Sequence, residues 1–377
     1  MNITEPHFDD TEIELLRKCL RSHWVTQGPL TAEFEELFAA RHQTKHALAT
    51  TSCTAALHLA TSALGLKDGD EVVVPAFTWV TSAHCAEYVG AKAVFADIEL
   101  DTFNLDPAAL DQAITPATRA IVVVHLFGLA AKIDEILAIA KRHRLAVIED
   151  AACGVGTAYK GVPVGRFGDL GCFSFHPRKI VTTGEGGMVT TMRDDLAARL
   201  KSLRNHGATG PAPGDDPSKP YVMSTFNVLG YNLRMSDIQA AIGIAQMAKL
   251  DGLLAERRAR ALRYTAALGS VGDIAVPTEP AGCGHTYQSY VIRVLEGGRA
   301  RRNAVMDALA AESIQTRPGT HAAHRLGYYA RKYGLRPELF PNAAACEDTT
   351  ITLPIFPGMS DADQDFVVAC LKRAMLH

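Results

Sequence analysis

The chain has 377 residues, 47% of them hydrophobic, with 30 glycines and 18 prolines, which is the composition of a globular protein long enough for about two domains. Its 38 basic and 41 acidic residues leave a net charge of −3 and no global basic field, which argues against a nucleic-acid partner; an anionic substrate would need a local patch. The eight cysteines show no paired metal-ligand spacing, so no metal is expected, and no apolar run approaches the ~20 residues of a membrane-spanning helix. No signal-type segment precedes Met1-Asn-Ile-Thr-Glu, and a reducing cytoplasm is the expected compartment.

In chain order, Thr50-Thr-Ser-Cys-Thr-Ala-Ala-Leu57 is a run of small and hydroxyl residues opening an apolar helical stretch. Backbone N–H groups at such a helix start suit a phosphate. Glu71 to Val74 reads as a strand, and Pro75-Ala-Phe-Thr-Trp79 just past it offers an indole that either stacks on a flat ligand or fills core. Further β-type runs at Ala93–Phe95, Ile121–Val124 and Ala146–Ile148 alternate with helical patterns, one of them spaced as Ile133, Ile136, Leu137 and Ala140. This alternation predicts an α/β fold with a largely parallel sheet and helices on both faces. Leu145-Ala-Val-Ile-Glu-Asp150 is a strand ending in a carboxylate, at the edge where open α/β sheets bind ligands. Asp150 there either pairs with a cationic ring nitrogen or caps a following helix.

The stretch Phe173-Ser-Phe-His-Pro-Arg-Lys179-Ile-Val-Thr-Thr-Gly-Glu-Gly-Gly187 sets one lysine between a short apolar strand and a glycine-rich turn. A lysine alone reads as a surface residue. One held near a closed pocket is desolvated, and desolvation lowers an amine pKa and makes it nucleophilic, as a Schiff-base lysine requires. With the strand-end Asp150, the phosphate-type turn and the Trp79 platform, it completes the parts needed to hold pyridoxal phosphate. Farther on, Gly210 to Pro220 is too rich in breakers for regular structure and reads either as a connector or as a flap beside a partner's active site. Ser236 and Gln239 form a capping box opening a long helix from Asp237 towards Leu268, with Gly252 as a candidate interruption. The boundary between a large domain, 1–250, and a small C-terminal α/β domain, 251–377, falls within that helix. The small domain's sheet is expected to begin at Tyr287–Val294.

The ordered motifs Trp24-Val-Thr-Gln-Gly-Pro29, Ser52-Cys-Thr-Ala-Ala-Leu57, Val124-His-Leu-Phe-Gly128, Ile148-Glu-Asp-Ala-Ala152, Ser174-Phe-His-Pro-Arg-Lys179, Thr183-Gly-Glu-Gly-Gly-Met188 and Gly230-Tyr-Asn-Leu-Arg-Met235 span nearly the whole chain. On them the chain resembles the DegT/StrS-type sugar aminotransferases, a branch of the fold-type I pyridoxal-phosphate enzymes. The resemblance implies that Lys179 links to the cofactor and shuttles the proton, and that Asp150 keeps the pyridine nitrogen protonated. It also implies that Trp79 covers the ring and that Ser52, Cys53, Thr54 and Ser174 bind the phosphate. Asn232 would reach the phosphate of a neighbouring subunit's cofactor, which implies a homodimer with shared sites. Thr26, His176, Arg317, His321 and His324 become the substrate candidates. Two positions depart from the family: Cys153 replaces a Gln or His that hydrogen-bonds the cofactor's ring oxygen, a role a thiol fills poorly, and Cys53 replaces a Gly, so the backbone there should need no positive φ. The implied activity is transfer of an amino group from an amino acid, glutamate, to a nucleotide-linked keto-sugar. The alternatives are a keto-inositol acceptor, a sugar dehydratase, which the retained Lys179 disfavours, and a non-catalytic regulatory homologue, which would be expected to lose Lys179 or Asp150. No nucleic-acid or membrane partner is expected.

Overall fold

Val72–Val74, Ile121–Val123 and Val147–Ile148 are uninterrupted apolar runs with no face left for water, and all are buried. Strands of this kind form the centre of a sheet covered by helices on both sides. The computed structural model, which describes residues 1–376, has a seven-stranded sheet in the order His46–Thr50, Gly187–Thr191, Leu170–Ser174, Ala146–Asp150, Thr118–Val124, Glu71–Pro75, Lys92–Ala96. Gly187–Thr191 is the one reversed strand: it pairs antiparallel on both sides, while the other pairings are parallel. The chain leaves Leu170–Ser174, passes through the lysine-bearing turn and returns directly as Gly187–Thr191, without the helical crossover that a parallel return would need. The turn carrying Lys179 is thereby pinned to the same sheet edge as Asp150.

Each face of the sheet has its own core. One is built on Leu57, Val74, Val122 and Ile148. The other centres on an aromatic cluster in which Phe34 lies 5.1 Å from Phe175 and Phe38 lies 4.9 Å from Phe173. The helix Asp237–Leu268 closes the second face, capped reciprocally by Ser236 and Gln239 as the sequence predicts. Gly252 does not interrupt it; its roughly 1 kcal/mol propensity cost is outweighed by packing on both sides. Leu250 and Leu253 of this helix pack into the large core, and Ala261, Tyr264 and Leu268 pack into a smaller one. Between them the buried Arg257 donates to the carbonyls of Tyr287, Gln288 and Ile355, and burial pushes its pKa down to about 10.

The smaller core lies under a three-stranded antiparallel sheet, Ile274–Ala275, Tyr290–Val294 and Thr350–Leu353, flanked by the helices Gly298–Ala311 and Asp361–Met375. Its first strand lies upstream of the predicted start, because Ile274–Ala275 is too short to leave a periodic signal. Ala322, Tyr329 and Cys346, although late in the chain, pack into the core built on Leu57, Val74, Val122 and Ile148. The breaker-rich segment after Asn205 has no helix or strand before Asp237, only isolated pairings such as Asn205 with Asn232. Gly207 is obligatory there: its φ is +81° and a Cβ would meet the Val228 carbonyl at 1.7 Å. Among the described residues no helix is long and apolar enough to cross a membrane, and no cluster of His, Cys, Asp or Glu could hold a metal.

Candidate active site

Asp150 is the last residue of Ala146–Asp150, level with Val124 on one neighbouring strand and Cys172 on the other. It forms part of the wall of a pocket of about 390 Å³ at the C-terminal ends of the parallel strands. No helix follows it, so the helix-cap alternative falls; the chain turns at Ala151–Thr157 instead. Its neighbour Glu149 shows by contrast what Asp150 is built for. Glu149 is fully buried and accepts from His125 Nε2 and from the N–H groups of Gly165, Phe167 and Gly168. Burial alone would raise its pKa, but these donors hold it below the ordinary value. Asp150, 3% exposed, accepts only from Ser82 Oγ at 2.6 Å and Ala152 N–H at 3.1 Å. Burial therefore wins and its pKa is raised, with the Ser82 bond the largest opposing effect. A buried carboxylate with acceptor capacity to spare is suited to a cationic N–H partner.

Lys179 lines the same pocket, its Nζ 3.2 Å from Cys153 Sγ. The turn that presents it is clamped from both ends. His176 O accepts from Lys179 N–H at 2.8 Å, Gln288 Oε1 accepts from Ile180 N–H at 2.9 Å, and Gln288 Nε2 donates to Arg178 O. Gln288 comes from the small sheet's approach and carried no sequence signal. At the phosphate-type turn, Ser52 is the N-cap of the helix Cys53–Ala63 and accepts from Ala55 N–H, a cap that makes no bond to Cys53 or Thr54. Cys53 is not among the positive-φ residues. Gly187 lets this turn approach the sheet: a Cβ there would lie 2.5 Å from Ser52 C and O. Ser174, opposite Gly187 in register, adds a hydroxyl to the pocket wall.

Trp79 also lines the pocket and is 55% exposed, so it is not a core residue. The pocket thus gathers a helix start and a hydroxyl for a phosphate, an under-satisfied buried carboxylate, an amine and an indole. This set fits pyridoxal phosphate, with Ser52, Cys53, Thr54, Trp79, Asp150, Cys153, Ser174 and Lys179 available to hold it.

The substrate candidates separate. His176 and Arg317 line the pocket; burial lowers the pKa of both. His321 instead sits behind Trp79, ring centroids 5.6 Å apart, on a two-residue strand paired with Phe77–Thr78. His324 does not reach the pocket: it is fully buried against Phe340, with neither ring nitrogen hydrogen-bonded, and its assignment to substrate is corrected on that ground. Thr26 is exposed outside the pocket, its carbonyl accepting from Asp237 N–H, and Asn232 is exposed as well. Ile3, Thr4 and Arg178, not singled out from sequence, contribute to the wall.

The model of the DegT/DnrJ/EryC1/StrS aminotransferase family matches residues 6–372. The chain is 40% identical to GDP-perosamine synthase of Caulobacter vibrioides, covering 100% of this chain and 98% of that protein. It is 37% identical to the spore coat polysaccharide biosynthesis protein SpsC of Bacillus subtilis, over 97% of this chain and 95% of that one. Among solved structures, the pyridoxal-phosphate form of a Streptococcus pneumoniae protein assigned as a sugar aminotransferase matches with a TM-score of 0.93 at 29% identity, covering 99% of this chain and 98% of the other. The chain belongs to the DegT/DnrJ/EryC1/StrS aminotransferase family and is a pyridoxal-phosphate-dependent sugar aminotransferase.

Proposed function

We propose that the enzyme moves an amino group from an amino acid, glutamate, to a keto-sugar carried on a nucleoside diphosphate. The observation that carries this reading is a pair of guanidinium groups in the pocket wall, Arg178 and Arg317, neither of which makes an ion pair among the described residues. Burial and the neighbouring Arg178 charge both lower the Arg317 pKa. Two cations without a counter-anion are relieved by an anionic ligand, and a diphosphate or a dicarboxylate supplies one. The Caulobacter relative is named for a GDP-linked product, which supports the nucleotide.

The cofactor, when bound, supplies the electron sink that lets a substrate C–H bond break. In this reading Lys179 anchors the cofactor and then moves the proton, Asp150 holds the proton on the ring nitrogen, and Trp79 covers the ring and keeps water from it. Ser52, Cys53, Thr54 and Ser174 hold the phosphate. Cys153 serves as neighbour to the Lys179 amine. The large domain, 1–250, carries these groups and the small one, 251–377, brings Arg317 and Gln288 to them. The eight cysteines are all free, in keeping with a reducing cytoplasm.

The test is the reverse reaction: 2-oxoglutarate offered with a panel of nucleotide-linked amino sugars and with aminocyclitols. Glutamate should form with at least one nucleotide-linked sugar. Turnover confined to aminocyclitols would overturn the nucleotide reading and leave the keto-inositol alternative.

The reading includes a homodimer. Tyr221, Met223, Phe226 and Leu229 are 78%, 79%, 59% and 86% exposed, far more apolar surface in one loop than a monomer leaves in water. Asn232 follows this loop and is assigned to the second copy's cofactor. When Lys179→Ala protein is mixed with Asn232→Ala protein under subunit exchange, one site of the heterodimer takes both lesions and the other neither. Activity should return to about half the parental value per heterodimer. With exchange confirmed and no activity regained, the shared site is wrong.

A further inference from the structure

Ser82, three residues beyond Trp79 in the first turn of the helix Thr81–Glu87, belongs to none of the motifs above, yet it makes the one side-chain hydrogen bond that Asp150 receives. Behind it stands Thr78, whose Oγ1 lies 2.9 Å from Ser82 Oγ. Both are buried, at 0% and 1% exposure. Proton accounting fixes the direction of this chain. An ionised carboxylate only accepts, so the single hydroxyl hydrogen of Ser82 is spent on Asp150 Oδ2; the bond between the two hydroxyls must then be donated by Thr78. Ala152 N–H serves the other carboxylate oxygen. The relay also spans Trp79, since Thr78 precedes the indole and Ser82 follows it by about one helical turn. Thr78 is pinned in turn by pairing with His321, the residue whose ring backs Trp79. One short segment therefore sets both the ring platform and the carboxylate.

We propose that Thr78 and Ser82 are positioning residues, a two-hydroxyl donor relay that aims the Asp150 carboxylate at the cofactor's ring nitrogen and stabilises its negative charge where water cannot. Glu149 has three backbone amides and a histidine for that purpose; Asp150, which must keep acceptor capacity free for the cofactor, has this relay and one amide. Hydrogen bonds to charged groups are the stronger kind, and chains of them reinforce one another in a low-dielectric site.

The test uses the holoenzyme with Ser82→Ala, Ser82→Thr and Thr78→Val, reading the pH midpoint of the bound cofactor's visible band and the dissociation constant of the cofactor. Ser82→Ala should weaken cofactor binding by about tenfold or more, the scale of one charged hydrogen bond. It should also raise the spectral midpoint, because a ring that holds its proton less firmly leaves the nitrogen linked to Lys179 more basic. Thr78→Val should move both readouts the same way by less, since Ser82 still reaches Asp150. Ser82→Thr, which keeps the hydroxyl, should restore both to near the parental values. A merely structural Ser82 would lower thermal stability and leave the midpoint in place. An unmoved midpoint in Ser82→Ala, or a Ser82→Thr protein as defective as the alanine variant, overturns the proposal. If Ser82→Ala does not fold, Thr78→Val decides the matter, and an unmoved midpoint there overturns it equally.

Discussion

Lys179→Ala should reduce amino transfer by about 10⁴-fold or more while leaving the protein folded. The lysine is asked to do two jobs in the reading above, anchoring the cofactor and carrying the proton, and proton transfer by a positioned side chain alone is worth about 10²–10⁴-fold. Its contribution to folding is small: the amine's one hydrogen bond is to Cys153, and the backbone of the turn is held by the His176 carbonyl and the Gln288 side-chain amide, bonds that alanine keeps. Single-turnover kinetics with circular dichroism in parallel check both halves. A folded Lys179→Ala protein with parental turnover would remove Lys179 from the chemistry.

Asp150→Asn preserves shape and removes charge, and it separates function from stability by sign. With the negative charge gone, the ring proton loses its partner, and amino transfer should fall by about 10³-fold, the scale of losing one preorganised electrostatic contact in a water-excluded site. Stability should move the other way. Burial raises the pKa of Asp150 above its unfolded value of 3.8, so between the two values the folded state binds more protons than the unfolded one. The parent, free of cofactor, therefore loses stability as pH rises from the ordinary aspartate range through the raised folded pKa, and the loss persists at neutrality. Asparagine has no such loss. Urea unfolding of the cofactor-free proteins from acid to neutral pH should show Asp150→Asn gaining on the parent across that window. A variant that fails to gain on the parent as pH rises, or keeps parental activity, would make Asp150 a structural carboxylate.

The sequence carried the parts of this site that are local. Asp150 declares itself because it ends an apolar strand, and Lys179 because it lies in the turn just past another; at one edge of a parallel sheet the two must meet. The long helix was legible because its capping box lies within four consecutive residues, Ser236 to Gln239. What escaped acts across the chain. Gln288 clamps the lysine turn from 109 positions away, and Ser82 reaches Asp150 across 68; a contact made at that separation leaves no local pattern around either residue. Glu149 and Asp150 are chemically alike as text, and only the loop Gly165–Gly168 wrapping one of them tells a saturated carboxylate from an available one. His324 misled for the opposite reason: a histidine near a substrate-facing segment is indistinguishable in sequence from one packed against Phe340. The reversed strand Gly187–Thr191 was hidden too, because strand direction depends on how the preceding turn folds.

The most direct test of the account is chemical trapping. The purified protein should carry a yellow chromophore, and borohydride reduction followed by peptide mapping should find the cofactor covalently fixed to Lys179. The comparison residue is Lys160, which is exposed and paired with Asp134 at 2.5 Å. An adduct on Lys160, or a folded protein that binds pyridoxal phosphate without any reducible link, would contradict the assignment of the pocket.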